Sequence, residues 1–303
     1  MTVRRLALIV SLLATAAPAH LAQQRFRTIT DGVRIDVLVT DGRRPIAGLQ
    51  EKDFILLDQG VRQDIDTIAI EDIPLSMMLA LDISESVEGQ KLRALVDGVK
   101  AAASALGPRD RSALLTFSEE VRLRTPWSPG GSAIVKAVPG LAAGGATALV
   151  DAGFAALTLR DDLPDRRHLV ILFTDGDDTS SWLSWRGLLD RAQRTDAVVY
   201  GVTQRSWQTG RPRSLSLMVF ASGDGEPPGD VVETLADVSG GRVFATRDPD
   251  DLRTAFIGIV REFRSRYVLT YTPKNVEATG WHPIEVKLKD RKGTIKARRG
   301  YTR

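Results

Sequence analysis

Asp82, Ser84 and Ser86 set one carboxylate and two hydroxyls at alternate positions directly after the apolar run 75–81. An apolar run of that length reads as a buried strand, and in open α/β sheets ligands bind beyond the carboxyl ends of the strands. Hard oxygen donors of this kind suit Mg²⁺, which keeps several waters and needs only one or two carboxylates. Taken alone, the five residues 82–86 read equally as a helix cap and first turn. Two further stretches change the balance. Residues 144–152 form a glycine-rich turn with one hydroxyl, Thr147, leading into a helical pattern. Residues 168–174 are a second apolar run, and it ends in Asp175-Gly176-Asp177-Asp178. Two strands ending in Asp and a third loop carrying Thr147 can converge on one cation at a single sheet edge.

The Asp-x-Ser-x-Ser box, the lone Thr147 and the strand-terminal Asp175-Gly176 resemble the metal-ion-dependent adhesion site of von Willebrand factor A (VWA) domains. The resemblance covers roughly residues 29–301, and Ala146 between the glycines and Thr147 departs from the spacing of many relatives. It implies Mg²⁺ or Mn²⁺ as the bound ion, with Ca²⁺ also accepted by oxygens of this class. It implies that Ser84 and Ser86 coordinate directly. Thr147 would be direct in one state and water-bridged in another, and Asp82 and Asp175 would act directly or through ordered water. An open position would take an Asp or Glu carboxylate from a protein partner. The chain is similar as a whole to exported bacterial VWA-related proteins in which a short β module precedes the metal-binding domain.

Neighbouring residues have simpler readings. Asp177 and Asp178 fit helix capping, with partner contact as the alternative; Asp151 fits a first-turn acid, and Glu85 a solvated one favoured by the helix dipole. Trp182 fits a buried helix start, with an exposed interface aromatic as the alternative.

The elements that position these groups follow from periodicity. Val33, Ile35, Val37 and Val39 alternate with mostly polar residues as a strand. Residues 54–57 and 61–70, joined through Gly60, read as a hairpin. Residues 266–271, 284–289 and 294–298 read as strands near the other end. The stretch 74–264 alternates apolar runs with helical patterns such as Leu92, Leu95, Val96 and Val99. The expected fold is α/β, a Rossmann-like doubly wound and mainly parallel sheet, inserted in a small β-sandwich built from N- and C-terminal strands. The expected boundaries are 1–22 signal peptide, 29–73 first part of the sandwich, 74–265 VWA domain and 266–303 second part. Residues 206–230, rich in Gly and Pro, read as a long excursion.

Arg4 and Arg5, the apolar run 6–16 and the small residues around Ala19 and Ala22 follow the order of a secretory signal, with an uncleaved anchor as its competitor. The expected location is outside the cytoplasm, periplasmic or secreted, with no membrane span after cleavage. Loss of residues 1–22 takes the formal charge from +3 to +1, because only Arg4 and Arg5 are charged there. A nearly neutral chain does not point to nucleic acid. The basic stretch 287–303 alternates with Leu288, Ile295 and Ala297 as the wet face of strands, without aromatic interleaving for base stacking. Cys is absent, which excludes thiol chemistry and disulfides. No Gly-Lys phosphate loop is present, and three His offer no Ser-His-Asp arrangement, with His168 before a strand and His282 in a turn. The expected role is therefore a non-enzymatic, cation-dependent protein-binding module. The alternatives are a structural envelope or assembly subunit with a stapling metal and, behind it, a Mg²⁺-dependent hydrolase.

Overall fold

The computed structural model describes residues 32–70, 73–204, 230–248 and 250–303. The expected signal segment 1–22, and residues 206–229 of the expected excursion, lie outside them. In chain order the elements are β1 (Val33–Asp41), β2 (Arg44–Pro45), β3 (Phe54–Asp58), β4 (Val61–Gln63), β5 (Thr67–Ala69), β6 (Leu75–Asp82), α1 (Gln90–Ser104), β7 (Arg111–Phe117), β8 (Val121–Pro129), α2 (Ser132–Ala137), α3 (Leu149–Thr158), β9 (Arg167–Thr174), α4 (Trp185–Gln193), β10 (Val198–Gln204), α5 (Val231–Ser239), β11 (Val243–Thr246), α6 (Asp251–Arg264), β12 (Tyr267–Tyr271), β13 (Trp281–Leu288), β14 (Thr294–Lys296) and β15 (Gly300–Thr302).

The largest sheet has the order β11-β10-β9-β6-β7-β8. All its pairings are parallel except β7 with β8. Its central strands are apolar on both faces because helices cover both. Met77, Leu79 and Leu81 pack with α1 and α6 through Leu95, Val99, Phe256 and Ile259. Met78 and Ala80 face the other layer, with Leu149 and Leu157 of α3, Leu188 of α4 and Leu235 of α5. Burial of that kind on both faces is what continuous apolar strands encode. β6 and β9 are neighbours at the centre, and from β6 the chain first runs outward to β7 before returning to β9. The strand order therefore reverses between β6 and β9, the switch point where α/β sheets open a ligand crevice.

Two smaller antiparallel sheets draw strands from both ends of the described chain. One has the order β14-β1-β12-β5 and the other β15-β13-β3-β4. β1 pairs first with β12, Val33 opposite Tyr271, and then with β14, Leu38 opposite Lys296. The sheets share one core containing Ile35, Val37, Phe54, Leu56, Tyr267, Leu269 and Ile284.

Several expectations need correction. Residues 61–70 are not one strand: β4 pairs with β3, while β5 crosses to the other small sheet and pairs with β12. α2 was not legible from its six residues, and α4 starts at Trp185. His282 lies within β13, fully buried, and not in a turn. Its Nδ1 is 3.0 Å from Asp58 Oδ1, and Asp58 Oδ2 accepts from the hydroxyls of Tyr271 (2.7 Å) and Tyr301 (3.0 Å). Among the described residues no helix is long and apolar enough to cross a membrane.

Candidate metal centre

Asp82 is the last residue of β6, and Asp175 directly follows β9, so adjacent parallel strands deliver both carboxylates to one point. Asp82 is fully buried. One of its oxygens accepts from the Ser84 N–H at 2.8 Å, the other from the Thr174 hydroxyl at 2.7 Å. These bonds fix the turn out of β6 and leave little rotational freedom for the carboxylate. The Ser84 and Ser86 hydroxyls lie 3.1 Å apart, and Ser86 donates to Asp175 Oδ1 at 2.5 Å. Asp82, Ser84, Ser86 and Asp175 thus form one hydrogen-bonded oxygen cluster, with Ser84 buried and Ser86 at the surface.

The loop that carries Thr147 is bonded by its backbone to the box after β6. The Glu85 N–H donates to Gly145 O at 3.1 Å, and the Gly144 N–H to Ile83 O at 2.9 Å. Gly145 has φ +85, a conformation that side chains strain, so glycine there lets the loop lie against the box. The other side of Thr147 is tied to the loop after β9: its carbonyl accepts from the Thr179 and Ser180 N–H groups, and its N–H donates to Thr179 Oγ1.

The flanking acids divide by role. Asp177 is exposed. Asp178 turns inward, accepting from the Val150 N–H at 3.2 Å and the Ser181 hydroxyl at 2.5 Å, so it serves the N-terminus of α3 as a cap. Asp151, in the first turn of α3, accepts from the Trp182 and Leu183 N–H groups at 3.0 and 2.8 Å. The buried helix start expected for Trp182 is wrong: its side chain stands in solvent before α4, 92 % exposed. Two members were missed from the sequence. Thr174 is hidden at the end of an apolar run. Lys91, in the first turn of α1, donates to Asp175 Oδ2 at 2.5 Å and to Ser86 O at 3.0 Å.

Burial pushes the Asp82 carboxyl above its ordinary value; hydrogen bonds from Ser84 and Thr174 pull against this, and the nearby Asp175 charge adds to the rise. Burial also raises Asp178, against its bonds from Ser181 and the start of α3. A buried carboxylate held above its usual range has a strong call on a cation. Among the described residues no group of three or more His, Asp or Glu is placed to hold an ion. The cluster offers two carboxylates and hydroxyls, all hard oxygens, and that donor set fits Mg²⁺ or Mn²⁺ better than a nitrogen- or sulfur-seeking metal.

Residues 77–177 match the family model of the von Willebrand factor type A domain. The match runs from β6 through the loop after β9 and holds Asp82, Ser84, Ser86, Thr147 and Asp175. No curated protein matches the chain. Among solved structures, it is similar to a von Willebrand factor type A protein from Catenulispora acidiphila. That alignment has 16% identity and a TM-score of 0.51, and covers 88% of this chain and 75% of that one. It is also similar to proximal thread matrix protein 1 of the mussel byssus, with 14% identity and a TM-score of 0.52, over 68% of this chain and 51% of that one. Another structure of the byssus protein, described as having a zinc-occupied MIDAS motif, aligns with 14% identity and a TM-score of 0.51, over 68% and 49%. At such identities the likeness speaks for the fold alone. Residues 77–177 thus match the von Willebrand factor type A domain, and the doubly wound sheet that holds them has the fold of the solved structures the chain is similar to.

Proposed function

We propose that this chain is a cation-dependent protein-binding module that works outside the cytoplasm, periplasmic or secreted. The observation that carries the proposal is the hydrogen-bonded convergence of Asp82, Ser84, Ser86 and Asp175 at the sheet's switch point. In this reading those four residues and Thr147 hold Mg²⁺ or Mn²⁺, which supplies an electrophilic contact for a carboxylate on the partner. The protein's own residues set the rest. Thr174 and the Ser84 N–H orient Asp82, Asp151 presents Trp182 at the rim, and Ser86 stands at the surface where a partner reaches it. The zinc-occupied motif of the byssus protein is in keeping with a metal at such a site.

The wider architecture is read in the same way. Residues 29–73 and 266–303 form a β-sandwich into which the VWA domain, 74–265, is inserted, and residues 1–22 direct export. Pairing of β1 with β12 and β14, and of β3 with β13, supports that arrangement. The role is non-enzymatic. A purely stapling metal is less favoured, because protein hydrogen bonds already join the three loops: Glu85 to Gly145, Thr179 to Thr147 and Ser86 to Asp175.

Binding partners captured on immobilised protein in Mn²⁺ test the reading. Release by EDTA, and no capture by Asp82→Ala, is the expected result. Capture that survives both chelation and the substitution overturns it.

A further inference from the structure

The oxygen cluster carries its own cation. Lys91 Nζ lies 2.5 Å from Asp175 Oδ2, on the carboxylate whose other oxygen accepts from Ser86. Its place in the chain runs against helix electrostatics. Lys91 sits in the first turn of α1, beside the positive end of the helix dipole, and no acidic residue shares that turn. Gly89, with φ +75, ends the preceding turn and starts the helix so that Lys91 reaches back over Ser86. The partners also differ in access to water: the Asp175 side chain is 1 % exposed and that of Lys91 29 %. The carboxylate is fixed, and the ammonium on its flexible stem is the group that can withdraw.

We propose that Lys91 is the specificity-determining residue of this centre: it competes with the dication for Asp175 and couples metal binding to binding of an anionic ligand. The inference rests on the metal reading of the site. Two carboxylates neutralise a dication, and the Lys91 ammonium leaves the loaded cluster with one net positive charge. Repulsion between a dication and an ammonium sharing one nearly buried carboxylate is far stronger than in bulk water. A bare ion therefore binds weakly. An incoming carboxylate meets a positive cluster instead of a neutral one, so each ligand strengthens the other, as thermodynamic linkage requires.

Calorimetric titration with Mn²⁺ alone, then with Mn²⁺ in the presence of acetate, tests this on the wild type, Lys91→Met and Asp82→Ala. Lys91→Met is expected to bind Mn²⁺ at least tenfold more tightly than the wild type. Acetate is expected to tighten Mn²⁺ binding by the wild type by a larger factor than binding by Lys91→Met, in which only the metal meets the carboxylate. Should Lys91→Met not fold, as judged by its unfolding transition in EDTA, Lys91→Gln gives the same readout. Equal or weaker Mn²⁺ binding by the Lys91 variant, with Asp82→Ala not binding, overturns the role of Lys91 and leaves the metal centre standing. Absence of Mn²⁺ binding in the wild type and the Lys91 variant alike, with and without acetate, removes the metal reading and the inference with it.

Discussion

The Asp151 carboxylate holds the backbone of Trp182, accepting its N–H at 3.0 Å and that of Leu183 at 2.8 Å, while the indole itself touches solvent almost everywhere. An aromatic ring on a tethered backbone loses little entropy when a partner covers it, which is what makes Trp a frequent interface anchor. Trp182→Ala should leave thermal stability within about 0.5 kcal/mol of the wild type. It should also lower partner affinity at least tenfold in Mn²⁺. Unchanged affinity would move the contact surface away from this loop.

Removal of the buried acid at the end of β6 should abolish metal-linked stability. In thermal unfolding, Mg²⁺ or Mn²⁺ at a hundredfold excess over its dissociation constant should add about 2.7 kcal/mol to the wild type relative to EDTA. Asp82→Ala should show no such gain. A gain of equal size in the variant would mean that the ion binds elsewhere.

Arg167 of β9 and Asp36 of β1 form a buried ion pair between the large sheet and the small ones. Arg167 Nε donates to Asp36 Oδ1 at 2.8 Å, and its Nη2 donates to Phe263 O at 2.8 Å. Removing one member strands the other charge, at a cost of about 3–5 kcal/mol. Asp36→Ala should lower the denaturant midpoint accordingly. Replacing both, as in Asp36→Leu with Arg167→Met, should recover much of the loss, whereas no recovery would show that the two residues act independently.

Tyrosine ionisation should track unfolding at high pH. Burial raises Tyr200 and Tyr271 above the usual range and pushes Tyr301 up to about 12. An unfolded tyrosine ionises near pH ~10. Between those values the folded state holds more protons than the unfolded one, so stability falls as pH rises above about 10. Tyrosinate absorbance from Tyr200, Tyr271 and Tyr301, read as the difference from their Tyr→Phe variants, should stay low through that range and rise with loss of the circular dichroism signal. A smooth rise before unfolding would contradict the buried Asp58 network.

At the acid end, His168 should matter most clearly. Burial pulls its pKa below the ordinary 6.5, with the nearby Asp196 charge pulling the other way. Below that ordinary value the unfolded state takes up a proton that the folded state resists, so stability is lost as pH falls through about 6.5. His168→Gln should flatten the decline in melting temperature between about pH 7.5 and 5.5. An identical slope in the variant would assign the decline to other groups.

The parts of this molecule that could be read in the sequence are those whose local pattern and tertiary role agree. Strand runs bounded by Asp82 and Asp175 announced both the sheet and the cluster at its edge, because a buried parallel strand must be apolar until it ends. The missed residues are those whose roles depend on distant partners. Lys91 reads as one more solvated lysine until the fold brings Asp175, 84 residues on, within reach. Trp182 reads as core by composition, yet the fold leaves its ring in solvent on a backbone bonded to Asp151. His282 hides among turn residues, yet its burial depends on Asp58, 224 residues away. The break between β4 and β5 was equally silent, since both halves share the same periodicity and differ only in which sheet receives them.

Arg266, fully buried, bonds Tyr200, the carbonyl of Gly240, and the carbonyl of Asp36, 230 residues earlier. That span dictates an order of assembly. Strands β6 to β10 follow one another within a single stretch of chain and can condense as they emerge, whereas β1 and β3 must wait for β12, β13 and β14. Contacts closed over so long a loop form late. Until then both early strands are open edges, prone to pairing with other chains. A polypeptide interrupted just after α6 would therefore carry its large sheet beside two strands that have lost their partners and stand ready to pair with a neighbouring chain.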